Sequence, residues 1–122
     1  MKMFMLKAVV CMAGLSFPGL AAAHHSYAMF DKTKDVVLTG TVQSWQWTNP
    51  HAWLVLTVTD ANGKEVEFGL EGQSPQVMRG RGWSRAIVKV GDKISVHIAP
   101  LKDGSNGGQI YSIIAADGHH FN

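Results

Sequence analysis

Val36-Val37-Leu38-Thr39-Gly40-Thr41-Val42-Gln43-Ser44-Trp45-Gln46-Trp47-Thr48-Asn49-Pro50-His51-Ala52-Trp53-Leu54-Val55-Leu56-Thr57-Val58 consists of two β-rich runs joined by an Asn-Pro-His turn. β-Branched and aromatic residues dominate both runs, and apolar positions alternate as they do in a half-buried strand. In the first run the alternation sets Leu38 and Val42 on one face, with Val37, Trp45 and Trp47 on the other. In the second, Ala52, Leu54, Leu56 and Val58 oppose Trp53, Val55, Thr57 and Thr59. Gly40 in mid-strand predicts a bulge or a sharp coil.

Working outward, Asp60-Ala61-Asn62-Gly63 is a tight reversal, and Lys64 to Leu70 reads as a third strand with Val66, Phe68 and Leu70 inward and Glu65 and Glu67 outward. Ser74-Pro75 then offers a helix cap and a first-turn proline, and Gly80 and Gly82 end the helix after about two turns. A fourth strand carries Ile94, Val96 and Ile98 inward, Asp103 to Gly108 reads as a flexible loop, and Gln109 to Ala116 as the fifth strand. Three strands, a helix and two strands give the order of an all-β, OB-like five-stranded barrel over residues 36–116, with one short helix between strands 3 and 4. A six-stranded, sandwich-like variant is the alternative if residues 27–34 add an edge strand. Residues 117–122 read as a C-terminal tail.

Upstream, Lys2 and Lys7 precede an apolar run from Ala8 to Leu20 and the small residues Ala21-Ala22-Ala23. This is the pattern of a cleaved secretory signal over residues 1–23, and the run is short for a membrane span. Its removal takes away Cys11, the only cysteine, so the mature chain forms no disulfide in the oxidising compartment it reaches. It also removes two of the eleven basic residues, leaving nine against nine acidic. The sequence pI near 8.8 thus belongs to the precursor. A neutral mature surface without a Lys/Arg cluster argues against nucleic acid or anionic lipid as a partner, and no stable membrane anchor is expected after cleavage. Residues 24–35 form a polar N-terminal arm, with Tyr27, Met29 and Phe30 available to pack on the barrel.

The chemistry lies in the six histidines. If cleavage follows Ala23, His24 becomes the first residue, and its α-amine and ring nitrogen can chelate one ion, with a further imidazole completing a three-nitrogen set suited to copper. If cleavage follows Ala22, the start Ala-His-His offers an amine-amide-imidazole chelate instead. Metal candidates are His24, His25, His51 and His120; His97 reads as an outward strand residue. The competing expectation is a metal-free binding module in which Trp45, Trp47, Asn49 and Trp53 in the first interstrand loop hold a small ligand or an envelope protein. Most of the tryptophan area is needed in the core of so small a domain. Neither a nucleophile elbow around the serines nor a surviving cysteine points to hydrolysis, and enzymatic activity is not expected.

The motifs HHSYAMFD, GTVQSWQWTNPHAWL and VGDKISVHIAPLKDGSNGG together resemble a group of small exported proteobacterial proteins classed as a domain of unknown function. That group shares a His-His-Ser start after the signal, an Asn-Pro-His turn and a Gly-Asp turn before a late strand. The resemblance covers the mature chain and implies a periplasmic location, with His24-His25 and Asn49-Pro50-His51 acting as a unit. It implies no activity. A looser likeness to periplasmic OB-fold stress proteins rests on the order of elements. The intact mass of the exported protein is expected to correspond to a start at His24 or, one residue earlier, at Ala23; retention of the apolar run would overturn the cleaved signal.

Overall fold

The computed structural model describes residues 27–122, so the signal segment, His24 and His25 lie outside the described residues. Six strands follow: β1 (Val36–Gln46), β2 (Trp53–Thr59), β3 (Glu65–Glu71), β4 (Lys93–Pro100), β5 (Gly107–Ile114) and β6 (His120–Phe121). The helix α1 (Pro75–Gly80) lies between β3 and β4, and single 3-10 turns occupy Tyr27–Met29 and Arg85–Ile87.

The strands run in the order β3-β2-β1-β4-β5, and β3 returns to β5 in parallel, closing a five-stranded barrel. This is the OB-like architecture expected from the order of elements. Leu54, Leu56, Leu70, Val42, Val96, Ile98 and Ile113 fill its centre and are fully buried. At α1 the Ser74 hydroxyl accepts from the Val77 amide at 3.3 Å, satisfying one of the free N–H groups of the first turn. α1 contributes Met78 to the core beside Trp83, so six residues are enough for it to serve as a plug.

Several local expectations need correction. Gly40 is not the bulge: β1 stays in register with β2 from Gly40 to Val42 and shifts between Val42 and Ser44. The extra residue there reverses the alternation, so Trp45 and Trp47 return to the inner face with Leu38 and Val42 rather than lying opposite them. Gly40 is needed because a Cβ on it would overlap the Thr57 carbonyl oxygen across the β1–β2 pair. Gly107 and Gly108, expected in a loop, begin β5 and make the closing pairs Gly69↔Gly107 and Leu70↔Gly108. A Cβ on Gly108 would lie 2.6 Å from the Ala99 oxygen, too close for any side chain.

The two ends of the described residues are also tied more firmly than the sequence suggests. The expected C-terminal tail supplies β6, which pairs with β5 through Ile113↔Phe121 and Ile114↔His120. The Trp83 indole N–H donates to the Asn122 carbonyl at 3.0 Å, and the Phe121 and Trp83 rings pack 6.0 Å apart. A sixth strand therefore exists, but the C-terminal end supplies it; residues 27–34 contribute only an isolated bridge, Phe30↔Leu101. Gly40→Val is expected to lower stability by roughly 2–4 kcal/mol in urea unfolding. Gly80→Ala, where nothing lies within 4 Å of the added methyl, should be neutral or slightly stabilising.

Candidate functional site

The turn between β1 and β2 is stitched to the β3–α1 connection by two main-chain bonds: the Ala52 amide donates to the Gln73 carbonyl at 2.9 Å and the Gly72 amide to the Ala52 carbonyl at 2.8 Å. His51, next to this clasp, is held against the end of β3. Its Nδ1 lies 3.1 Å from the Gly72 carbonyl oxygen and 3.6 Å from Glu71 Oε1. A carbonyl only accepts, so Nδ1 carries the proton and a neutral His51 keeps its lone pair on Nε2. Fixing one ring nitrogen by a carbonyl or carboxylate is how proteins orient imidazole for metal ligation and raise its basicity. The same contact also serves a purely structural histidine.

Tyr27 packs edge-on against His51, with ring centroids 5.9 Å apart. Tyr27 belongs to the described part of the arm, which is tied to the barrel by two main-chain hydrogen bonds. Asp31 donates its amide to the Pro100 carbonyl at 2.8 Å, and Lys102 donates to the Met29 carbonyl at 2.9 Å. Phe30 between them is 4 % exposed, and burying such a side chain contributes about 2–3 kcal/mol, the largest single term in the docking. The Lys32 ammonium lies 5.7–5.8 Å from the ring centres of Tyr27, Phe30 and Tyr111. Cation–π contacts near a surface contribute about 0.5–1 kcal/mol each, so they reinforce the docking by Phe30 but do not replace it. Desolvation pushes the Lys32 ammonium below the usual lysine range, and the Glu71 carboxylate opposes that shift.

The register widens the polar group around His51. Trp53 pairs with Glu71 across β2–β3, and Glu71 pairs with Gln109 across the parallel β3–β5 closure, so the three share the outer face of the sheet. Gln109 is only 2 % exposed, and its Oε1 meets no hydrogen-bond donor among the described residues. Sequence reasoning passed over Glu71 and Gln109. Glu71 continues the Glu65, Glu67 alternation of a solvated strand face, and Gln109 looks like an ordinary strand residue; only the closure brings them together.

The other candidate residues are scattered. Trp47 is buried in the core, Trp45 is half-buried against it with ring centres 5.6 Å from Trp47, and Asn49 is exposed beside a cis Asn49–Pro50 bond. Trp53 alone among the tryptophans is exposed, its indole lying over Gly69. The expected surface of three indoles is therefore reduced to one, because the β1 bulge turns the other two inward. His120 sits on β6 opposite Ile114, five residues along β5 from Gln109, roughly 16 Å at strand rise. The structure does not bring His120 to His51. His97, expected as a simple outward residue, meets Asp35 with its Nδ1 3.1 Å from Oδ1. Among the described residues no three His, Cys, Asp or Glu side chains converge as a metal group. What the described residues present at His51 is thus one imidazole, with a carboxylate behind it. Two surface concavities lie elsewhere, one on the outer face around Thr41, Thr57 and Glu67, the other beside β6 around Lys89, Asp92 and His119.

A family model described as "Family of unknown function (DUF6152)" matches residues 10–110. No curated protein and no solved structure matches the chain. Phe30→Ala is expected to speed amide exchange at Asp31 and Lys102 on the order of fifty-fold, in line with the lost burial, while amides at the barrel centre keep their protection. Lys32→Met should change the same amides only a few-fold, and the reverse ranking would show that the ammonium, not Phe30, holds the arm.

Proposed function

The chain belongs to the family of unknown function DUF6152, and from that starting point we propose that it is an exported, periplasmic metal-binding module for copper. In this reading His51 supplies one imidazole through Nε2, and the mature N-terminus supplies the rest: the His24 α-amine and ring, with His25 available as a further ligand. The observation that carries it is the Tyr27–His51 contact at 5.9 Å. Tyr27 is three residues from His24, a reach of roughly 10 Å in extended chain, so a clamped arm leaves His24 a short tether to the His51 ring. The orientation of His51 by the Gly72 carbonyl adds to the case, because it frees the nitrogen a metal would use. An imidazole set completed by an amine suits Cu(II) among the first-row ions. The α-amine must lose its proton to bind, so affinity rises with pH toward its ordinary value of about 7.7–8.0.

A second reading, a metal-free binding module, is supported by Trp53 alone, an exposed indole beside Glu71 on an otherwise polar face. It requires that Trp53→Ala remove ligand or envelope-protein binding while His51→Ala leaves it intact.

Protein with the authentic start is expected to bind one Cu(II) with a nitrogen-rich electron paramagnetic resonance signature. Protein carrying one extra N-terminal residue, or His51→Ala, should bind at least tenfold more weakly. Equal and negligible binding by the authentic and extended forms overturns the proposal.

A further inference from the structure

The barrel closes along only part of β3. Gly69, Leu70 and Glu71 at its end pair with β5, whereas Glu65 to Phe68 pair with β2 alone among the described residues. β5 begins at Gly107, and the chain before it turns back on itself, the Gly104 amide donating to the Leu101 carbonyl at 3.2 Å. Among the described residues nothing continues the ladder past Gly69. The Gly69 amide donates to the Asn106 carbonyl at 3.4 Å, so Gly69 turns its main chain toward β5. Main-chain groups point to alternate sides along a strand, and β3 keeps its register with β2 throughout, so Glu67 and Glu65 turn theirs the same way. Their N–H and C=O groups form a short open edge.

We infer that this edge docks an extended segment of another protein in which basic and apolar residues alternate. Adding a strand to an open edge is an established mode of peptide recognition, in which main-chain bonds give affinity and side chains give specificity. Register sets the alternation. Residues directly opposite one another on paired strands share a face, so those opposite Glu65 and Glu67 fall on the outer face beside two exposed carboxylates. A residue opposite Val66 falls on the other face, where Val66 and Phe68 are half-buried and Phe68 packs against the core. The outer face also has room for long side chains. Lys93, Thr41, Thr57 and Glu67 lie in register across β4, β1, β2 and β3, and they help to line a hollow of about 680 Å³. At its β3 rim the carboxylates adjoin the hydroxyls of Thr57 and Thr59, whereas Lys93 stands three strands away, roughly 14 Å. A lysine or arginine at this rim meets acceptors; an acidic residue meets like charge. The same carboxylates disfavour a second copy of the chain, because pairing two β3 edges about Val66 sets Glu65 opposite Glu67 twice. Glu65 is six residues, roughly 20 Å, along β3 from Glu71, so this edge is separate from the His51 seam and rests on no metal.

The probe is an end-capped heptapeptide alternating lysine and valine, titrated to about 1 mM, with glutamate replacing lysine in the control peptide. Shifts and amide exchange of isotope-labelled protein are read residue by residue by nuclear magnetic resonance. The lysine peptide is expected to slow exchange at Glu65 and Glu67 about tenfold or more, while Val66 and Phe68, already bonded to β2, stay unchanged. Its binding should weaken as salt is added. Glu67→Lys is expected to weaken the lysine peptide about tenfold and to strengthen the glutamate peptide, since an attraction lost and a repulsion gained each contribute up to about fivefold. Glu67→Gln should give an intermediate loss, and an unfolding midpoint close to that of the unchanged protein shows that either variant is folded. No shift at Glu65 and Glu67 with the lysine peptide, or equal binding of both peptides, overturns the inference. So does slowing confined to Val66 and Phe68. Slow exchange at Glu65 and Glu67 in the peptide-free protein also overturns it, because the chain itself or a second copy then fills the edge.

Discussion

Everything near His51 depends on the way the barrel closes. Three parallel pairs, Gly69↔Gly107, Leu70↔Gly108 and Glu71↔Gln109, join the end of β3 to the start of β5. Without them β3 and β5 would each carry a free edge, which a small domain without disulfides can ill tolerate. The closure is short, and both of its β5 glycines sit in tight space: a Cβ on Gly107 would meet the Leu101 side chain at 2.7 Å and the Gly69 carbonyl oxygen of β3 at 3.1 Å, and one on Gly108 the Ala99 carbonyl oxygen of β4 at 2.6 Å. It also brings together residues from distant parts of the chain. The end of β3 delivers Glu71 and Gly72, the start of β5 delivers Gln109, and the neighbouring Pro100–Lys102 stretch receives the arm. The site is thus assembled at the seam of the barrel.

Polar and apolar forces are divided between the two faces of the same strands. Inside, the aliphatic residues of β1, β2, β4 and β5 supply most of the favourable free energy through burial. Outside, at the seam, the arm brings Phe30 to Leu101 and Tyr27 to His51, while the same face keeps a carboxylate at Glu71 and an amide at Gln109. Stability alone would favour apolar residues at Gln109 and Glu71, since neither acquires a full set of partners. A fold tends to retain such costs where a ligand uses the groups, and this is the physical basis for reading the seam as functional.

The strand order, the inward sets of β2 and β4, the Ser74-capped helix and the position of His51 in the first loop were all legible, because alternation, turn residues and capping are local signals. Three things were not. The β1 bulge is one residue at Gln43 with nothing in the local pattern to mark it, and missing it assigned Trp45 and Trp47 to the wrong face. β6 is two residues long, and a strand that short exists only because β5 and Trp83 are already there to receive it. Glu71 and Gln109 are 38 positions apart in the chain and meet only through a parallel pairing that no local periodicity announces. His51, by contrast, was flagged by its company of aromatic and turn residues, but its hydrogen bond to Gly72 depends on the Ala52–Gln73 clasp.

The different fates of the four tryptophans also give the molecule an optical character. Trp47 and Trp83 are buried and Trp45 is mostly enclosed, so their emission belongs to the interior of the barrel. Trp53 is open to solvent, two positions from His51 and paired with Glu71. A paramagnetic ion quenches an indole more strongly the closer it lies, so the red-shifted, solvent-exposed part of the fluorescence reports on the seam while the blue part reports on the core. Site and scaffold can therefore be followed separately in the same unlabelled protein.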